Sequence, residues 1–179
     1  MAGWKKVDSK TAFECPYYSI SEDNVIRPDG APGKYFHVVT KGSVSIIAED
    51  TDEKIYMVSQ HRYTADNELS TEVVAGGIEK NEDPLSAAKR ELVEEAGIAA
   101  KEWIYLGNFR PFNGISSEID YVYLARDLTQ GLSNPDSTED ITLSKKSLAE
   151  VKELILKNEI TDGQAIAALM KYIIYKENV

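Results

Sequence analysis

From Lys34 onward the apolar residues come in short β-branched and aromatic runs separated by polar turns. Residues 35–39, 44–48 and 55–59 each read as a strand. The polar stretch 49–53 between the last two makes them a hairpin, and Gln60-His61-Arg62-Tyr63 then leaves the sheet. Residues 69–75 read as one further strand, and residues 103–109 and 119–125 as two more. Upstream, residues 13–20 form a strand that Pro16 confines to an edge, and Arg27-Pro28-Asp29-Gly30 is a turn. Residues 131–140 are a polar connection.

The period turns helical in three places. Leu148, Val151, Leu154 and Ile155 form a stripe behind a capping box, Ser147 to Glu150. Ile166, Leu169, Met170 and Ile173 form another behind Thr161-Asp162. The third place is the most informative. Asp83 can cap a helix, Pro84 suits its first turn because it has no N–H to leave unsatisfied, and Gly97 can end it in the left-handed conformation. Leu85, Ala88 and Leu92 fall on one face of this helix, which predicts that the face is buried. Glu91, Glu94 and Glu95 project from adjoining rows. Three carboxylates so close repel one another unless a cation sits among them, and a hard divalent ion with oxygen ligands is the natural partner.

A chain of 179 residues fits one domain with a respectable core. The net charge of −10 argues against broad nucleic-acid binding, which needs a basic surface. It does not exclude an anionic substrate, because metal ions invert the local charge of a site. Cys15 is the sole cysteine, so no intrachain disulfide forms, and no apolar run approaches membrane-spanning length. Without a signal-peptide core, the expectation is a cytoplasmic enzyme that binds neither membrane nor nucleic acid. Trp4, Tyr17 and Tyr18 are suited either to stack on a base or to fill an interface.

Gly76, Glu82, Arg90, Glu91, Leu92, Glu94, Glu95, Gly97 and Ile98 fill every fixed position of the pattern GX5EX7REUXEEXGU, with U aliphatic. The stretch resembles the Nudix box. Beyond it, Gln60-His61-Arg62, the run from Glu72 to Gly76, the loop from Phe112 to Glu118 and Asn158-Glu159-Ile160-Thr161-Asp162 are similar to the ADP-ribose and nucleoside diphosphate sugar pyrophosphatase branch of that family. Val74 and Asn113 stand where the branch has proline. The second of those prolines is associated with ADP-ribose preference, so other nucleoside diphosphate sugars stand beside ADP-ribose as substrates.

The resemblance implies an α/β fold, the Nudix α/β/α sandwich with a mixed sheet. It divides the chain into an N-terminal β extension, residues 1–34, and a hydrolase domain, residues 35–179. It implies Mg²⁺ or Mn²⁺, about two to three ions per site, held by Glu91, Glu95, Glu94 and the Ala75 carbonyl. Gly76, Glu82, Arg90 and Gly97 have structural roles in the box, with Glu82 and Arg90 holding each other. Glu118 is the candidate base, with Glu94 and Glu95 beside it in catalysis. Arg62 is either a phosphate clamp or a surface ion pair, and Glu72 either binds a sugar hydroxyl or ends a strand. A homodimer through the N-terminal strands is also implied, with Tyr17, Tyr18 and Arg27 reaching the neighbour's substrate pocket. The alternatives are a nucleoside triphosphate or RNA 5′-end pyrophosphohydrolase, and a non-catalytic nucleotide-sugar sensor on the same fold.

Overall fold

The structure is a computed structural model that describes residues 3–131 and 140–179. Most of the polar connection expected at 131–140 lies outside the described residues. The chain divides into two compact units: residues 1–42 with 110–119, and residues 43–109 with 120–179.

The first unit is an antiparallel sheet of β1 (Lys5–Glu14), β2 (Ser19–Ile26) and β3 (Pro32–Val39), in the order β1-β2-β3. It runs past the boundary expected at residue 34, because β3 pairs with β2 along its whole length. The strand expected at residues 13–20 is instead the end of β1, a turn at 15–18 and the start of β2. Cys15 N–H donates to the Tyr18 carbonyl at 3.0 Å and closes a turn around Pro16, whose ring nitrogen has no hydrogen for a ladder. Residues 27–30 turn as expected, with Gly30 at φ +85 and its N–H on the Arg27 carbonyl. The loop 110–119 is tied to β3: Val38 N–H donates to the Ile115 carbonyl, and Ser117 N–H to the Val38 carbonyl.

The second unit is a mixed sheet between helices. Its strands are β4 (Ser43–Ala48), β7 (Val74–Gly77), β8 (Ile98–Phe109) and β9 (Asp120–Gln130), in the order β7-β4-β9-β8. Only β4 and β9 run parallel. A second, antiparallel sheet joins β10 (Thr142–Lys146), β5 (Ile55–Arg62) and β6 (Glu68–Glu72). Residues 44–48 and 55–59 therefore do not form a hairpin. A turn at 50–54 and one bridge, Glu49 with Ile55, start the pairing. β4 is buried at every position, takes β7 and β9 as neighbours, and leaves β5 to the other sheet. For the same reason Gln60, His61 and Arg62 do not leave the sheet but pair with Ser70, Leu69 and Glu68. Residues 69–75 are likewise two strands, broken at Val73 where the chain passes between sheets.

The mixed sheet is covered on both faces. Val44, Ile46, Leu92 and Ile98 share one cluster with α1 (Pro84–Ala96). Ile47, Val122, Val151, Leu169 and Tyr172 share the other with α2 (Leu148–Leu156) and α3 (Gly163–Lys176). Each of these side chains is at most 1% exposed, which stabilises by about 1.5–3 kcal/mol per fully buried aliphatic. Ser147 and Glu150 form the expected capping box, and Asp162 caps α3. Met170 is 45% exposed and does not belong to the α3 stripe. Ala165 and Ala168 take the close-packed positions instead. No helix among the described residues is long and apolar enough to cross a membrane.

Candidate active site

Local chemistry places the acids. Asp83 accepts from Leu85 N–H and Ser86 N–H, Pro84 opens the helix, and Gly97 closes it at φ +64 with its N–H on the Leu92 and Val93 carbonyls. Ala88 and Leu92 are fully buried against the sheet, which fixes the helix rotation. That rotation aims Glu91 and Glu95 at the end of β7. The Ala75 N–H donates to Glu95 Oε2 at 3.2 Å. A Cβ built on Gly76 would fall on the Glu91 carboxylate, well inside van der Waals contact. Gly76 has a negative φ, so glycine is needed here for space alone.

Arg90 organises the remaining acids. Its Nε and Nη2 donate to the two Glu82 oxygens at 3.0 and 2.9 Å, a bidentate pair. Nη2 also reaches the Gly77 carbonyl at 2.9 Å. Nη1 donates to Glu91 Oε1 at 2.7 Å and to Glu94 Oε2 at 2.9 Å. The hydrogen bonds from Arg90 hold the Glu82 carboxyl below its ordinary pKa, and those to Glu82 and Glu91 hold the guanidinium firmly protonated. Among the described residues no three Asp, Glu, His or Cys side chains are grouped closely enough to hold a metal ion. In this arrangement Glu91 and Glu94 converge on a guanidinium.

Arg62, at the end of β5, is clamped to Glu72, at the end of β6. Nε to Oε1 is 2.8 Å and Nη2 to Oε2 is 2.5 Å. Glu72 is 4% exposed, and its hydrogen bonds raise the Arg62 pKa, with smaller contributions from Glu95 and Asp162. The two residues that the sequence offers as substrate ligands are thus each other's partners, within electrostatic reach of Glu95.

The other expected site residues belong to the first unit. Glu118 follows the tied part of loop 110–119, and its N–H donates to Ser116 Oγ at 3.0 Å. Arg27 pairs with Asp29 at 2.9 Å. Tyr18 is half exposed beside Phe13, and Tyr17 is 88% exposed. Sequence reasoning missed a cavity of about 360 Å³ in this unit, lined by Trp4, Asp23, Tyr35, His37 and Gly114 among others. Trp4 and Tyr35 meet edge to face at 5.3 Å, and the Tyr35 hydroxyl donates to the Gly114 carbonyl at 2.6 Å. Asp23 accepts from Ser21 and Ser9, which lower its pKa to about 2. The available signal was the polar alternation of β2, where Ser21 and Asp23 occupy inward positions.

Two buried charges of the second unit were also missed. Glu49 accepts from Tyr172 Oη at 2.5 Å, Lys176 Nζ at 3.0 Å and Arg126 Nε at 2.5 Å. Asp120, fully buried, accepts from Ser43, Ser45 and Gln164. Its signal was a charge opening an apolar strand.

A model of the NUDIX domain matches residues 39–169. The chain is 30% identical to a methanol dehydrogenase activator of Bacillus methanolicus, over 92% of this chain and 90% of that one. It is 29% identical to an ADP-ribose pyrophosphatase of Bacillus subtilis, over 97% and 94%. A crystal structure of an ADP compounds hydrolase superposes with a TM-score of 0.84 at 18% identity, over 98% of this chain and 95% of that one, and so shares its fold. With the box residues assembled as described, the chain belongs to the Nudix family, as a pyrophosphohydrolase of the branch that includes the ADP-ribose pyrophosphatases.

Proposed function

We propose that the enzyme hydrolyses the pyrophosphate bond of a nucleoside diphosphate sugar, ADP-ribose or a close relative, to a nucleoside monophosphate and a sugar phosphate. The observation that carries this is the box itself: Glu91 over Gly76, Glu95 on the Ala75 backbone, and Arg90 bridging Glu82, Glu91 and Glu94. The likeness to the ADP-ribose pyrophosphatase of B. subtilis supports the substrate class.

An all-oxygen donor set beside a glycine that leaves room for a carboxylate fits Mg²⁺ or Mn²⁺. Glu91, Glu95, Glu94 and the Ala75 carbonyl would hold the metal, which supplies neutralisation of the pyrophosphate oxygens and acidification of a water. Arg90 and Glu82 hold the loop and offset the charge of the neighbouring acids. Arg62 engages Glu72 through Nε and Nη2, and Nη1 is the donor a substrate phosphate would use. Glu118 takes the proton of the attacking water. β1–β3 expose Val7, Phe13 and Phe36, with Trp4 just before β1, and we propose that they join two copies into a homodimer, with Tyr17, Tyr18 and Arg27 serving the neighbour's pocket.

The test is a screen of nucleoside diphosphate sugars beside nucleoside triphosphates, with Mg²⁺ or Mn²⁺ and products identified by mass spectrometry. Monophosphate plus sugar phosphate from a diphosphate sugar is expected. Pyrophosphate released from a triphosphate, with diphosphate sugars inert, would replace this reading. The likeness to a methanol dehydrogenase activator favours a second reading, action on a dehydrogenase. A dehydrogenase rate that rises when the chain is added, with no diphosphate sugar cleaved, would select it.

A further inference from the structure

The geometry points to Asp120 as a positioning residue for the box, acting from the opposite face of the sheet; this rests on the hydrolase reading above. Asp120 opens β9 and is fully buried. Its Oδ2 accepts from Ser43 Oγ at 2.9 Å, Ser45 Oγ at 3.0 Å and Gln164 Nε2 at 2.9 Å. Gln164 also donates to Ser43 Oγ at 3.1 Å, and it stands in the first turn of α3, which Asp162 caps. One carboxylate oxygen therefore joins β4, β9 and α3.

The register shows what this junction supports. Ser43 pairs with Gly77 and Ser45 with Ala75. These are the two residues whose backbone meets the box side chains, through Arg90 on the Gly77 carbonyl and Glu95 on the Ala75 N–H. Gly76, between them, lies against the Glu91 carboxylate. Paired residues of antiparallel strands point to the same face, and successive residues alternate. Val44 and Ile46 belong to the cluster under α1, and Ile47 to the cluster under α3. Ser43 and Ser45 thus point away from α1, and the Asp120 junction grips β4 from behind while β7 meets the acids in front. A hydrophobic contact would hold the strand against sliding only loosely, whereas three donors converging on one buried oxygen fix its height and register.

Asp120→Asn keeps the shape and places an amide where donors converge. Should it fold poorly, Ser45→Ala removes one donor at smaller cost. Leu169→Ala, in the core of α3 and outside the junction, is the control for lost stability alone. The readouts are amide hydrogen exchange at residues 75–77, Mn²⁺ affinity by electron paramagnetic resonance, and the split between kcat and KM on a diphosphate sugar. Supporting groups behind ligands are worth about 10- to 100-fold in metal affinity or turnover. The expected result for Asp120→Asn is faster exchange at 75–77 than in the control, and a loss of that size in both Mn²⁺ affinity and kcat, with KM within about twofold. Ser45→Ala moves the same way by less. Both variants matching Leu169→Ala in exchange, affinity and kcat would overturn the inference. A wild-type protein without metal-dependent hydrolysis would sink the parent reading instead, and exchange and Mn²⁺ affinity would still decide the role of Asp120.

Discussion

Gly76→Ala is the smallest change that reaches the centre of the site. The added methyl falls on the Glu91 carboxylate, and because the φ of Gly76 suits any residue, its only cost is that collision. Relaxed carbon contacts lie near 3.5–4.0 Å, so the carboxylate or the strand must shift by about 1 Å or more. What the methyl meets is the far end of a flexible side chain, which can swing aside, so the cost lies at the low end of the overpacking range, about 1 kcal/mol. At ~2–4 °C per kcal/mol for a domain of this size, Tm falls by about 2–4 °C. A displacement of about 1 Å in a reacting constellation costs on the order of 10²-fold in rate. Turnover of the folded variant should therefore fall about 100-fold, far more than its stability loss explains. Gly77→Ala is the internal control, because a Cβ there meets nothing within 4 Å. Its turnover should stay within about threefold, the range of substitutions that disturb no packing. Steady-state kinetics and calorimetry of the two variants settle the matter. Full turnover in Gly76→Ala would refute the claim that the Glu91 carboxylate works where this structure places it.

Three further outcomes follow from the charges and the exposed sheet. Glu82 is held below its ordinary pKa by Arg90, so their pairing contributes fully above the unfolded value of about 4.3 and is lost as pH falls through the folded one. The Tm gap between wild type and Glu82→Gln should be widest near neutrality and close toward pH 3, and a gap constant across calorimetric scans would contradict this. For Glu49, burial pushes the pKa up, but Tyr172, Lys176 and Arg126 outweigh it and hold the carboxylate ionised. Glu49→Ala takes the carboxylate from Arg126 while Lys176 keeps Glu53, and should cost about 3 kcal/mol, the low end for a broken buried pair, or ~6–12 °C in Tm, because both cations also touch solvent. A thermal melt shifted by less than about 2 °C, under 1 kcal/mol, would show the cluster to be idle. Gel filtration with light scattering should give a dimer, and an Asp at both Val7 and Phe36 should give a monomer; a wild-type monomer would remove the proposed interface.

What could be read from the residues alone was local. The α1 boundaries, its Asp83 cap, its Gly97 stop and the capping box of α2 are set by chemistry within a few positions, and they hold in the structure. Pairing between strands was less legible. Residues 44–48 and 55–59 look like a hairpin because their turn is one, but full burial of β4 on both faces assigns them to different sheets. The run 69–75 hides a break at Val73 for the same reason. At the site, spacing placed Glu91, Glu94 and Glu95 on adjoining rows, but not the fork of Arg90 among them. The partners of Asp120 and Glu49 were not legible, because they lie 44 to 127 positions away.

The central claim is that the acids of α1 grip divalent cations and that this grip permits hydrolysis. Its most direct test is the Mn²⁺ affinity and turnover of Glu95→Gln beside wild type, on the same diphosphate sugar, with and without EDTA. The account predicts that wild type binds Mn²⁺ and loses turnover in EDTA, and that Glu95→Gln melts close to wild type while losing on the order of 10²-fold or more in both affinity and kcat. Wild-type turnover that survives EDTA, or a Glu95→Gln enzyme that binds Mn²⁺ and turns over as wild type does, would contradict it.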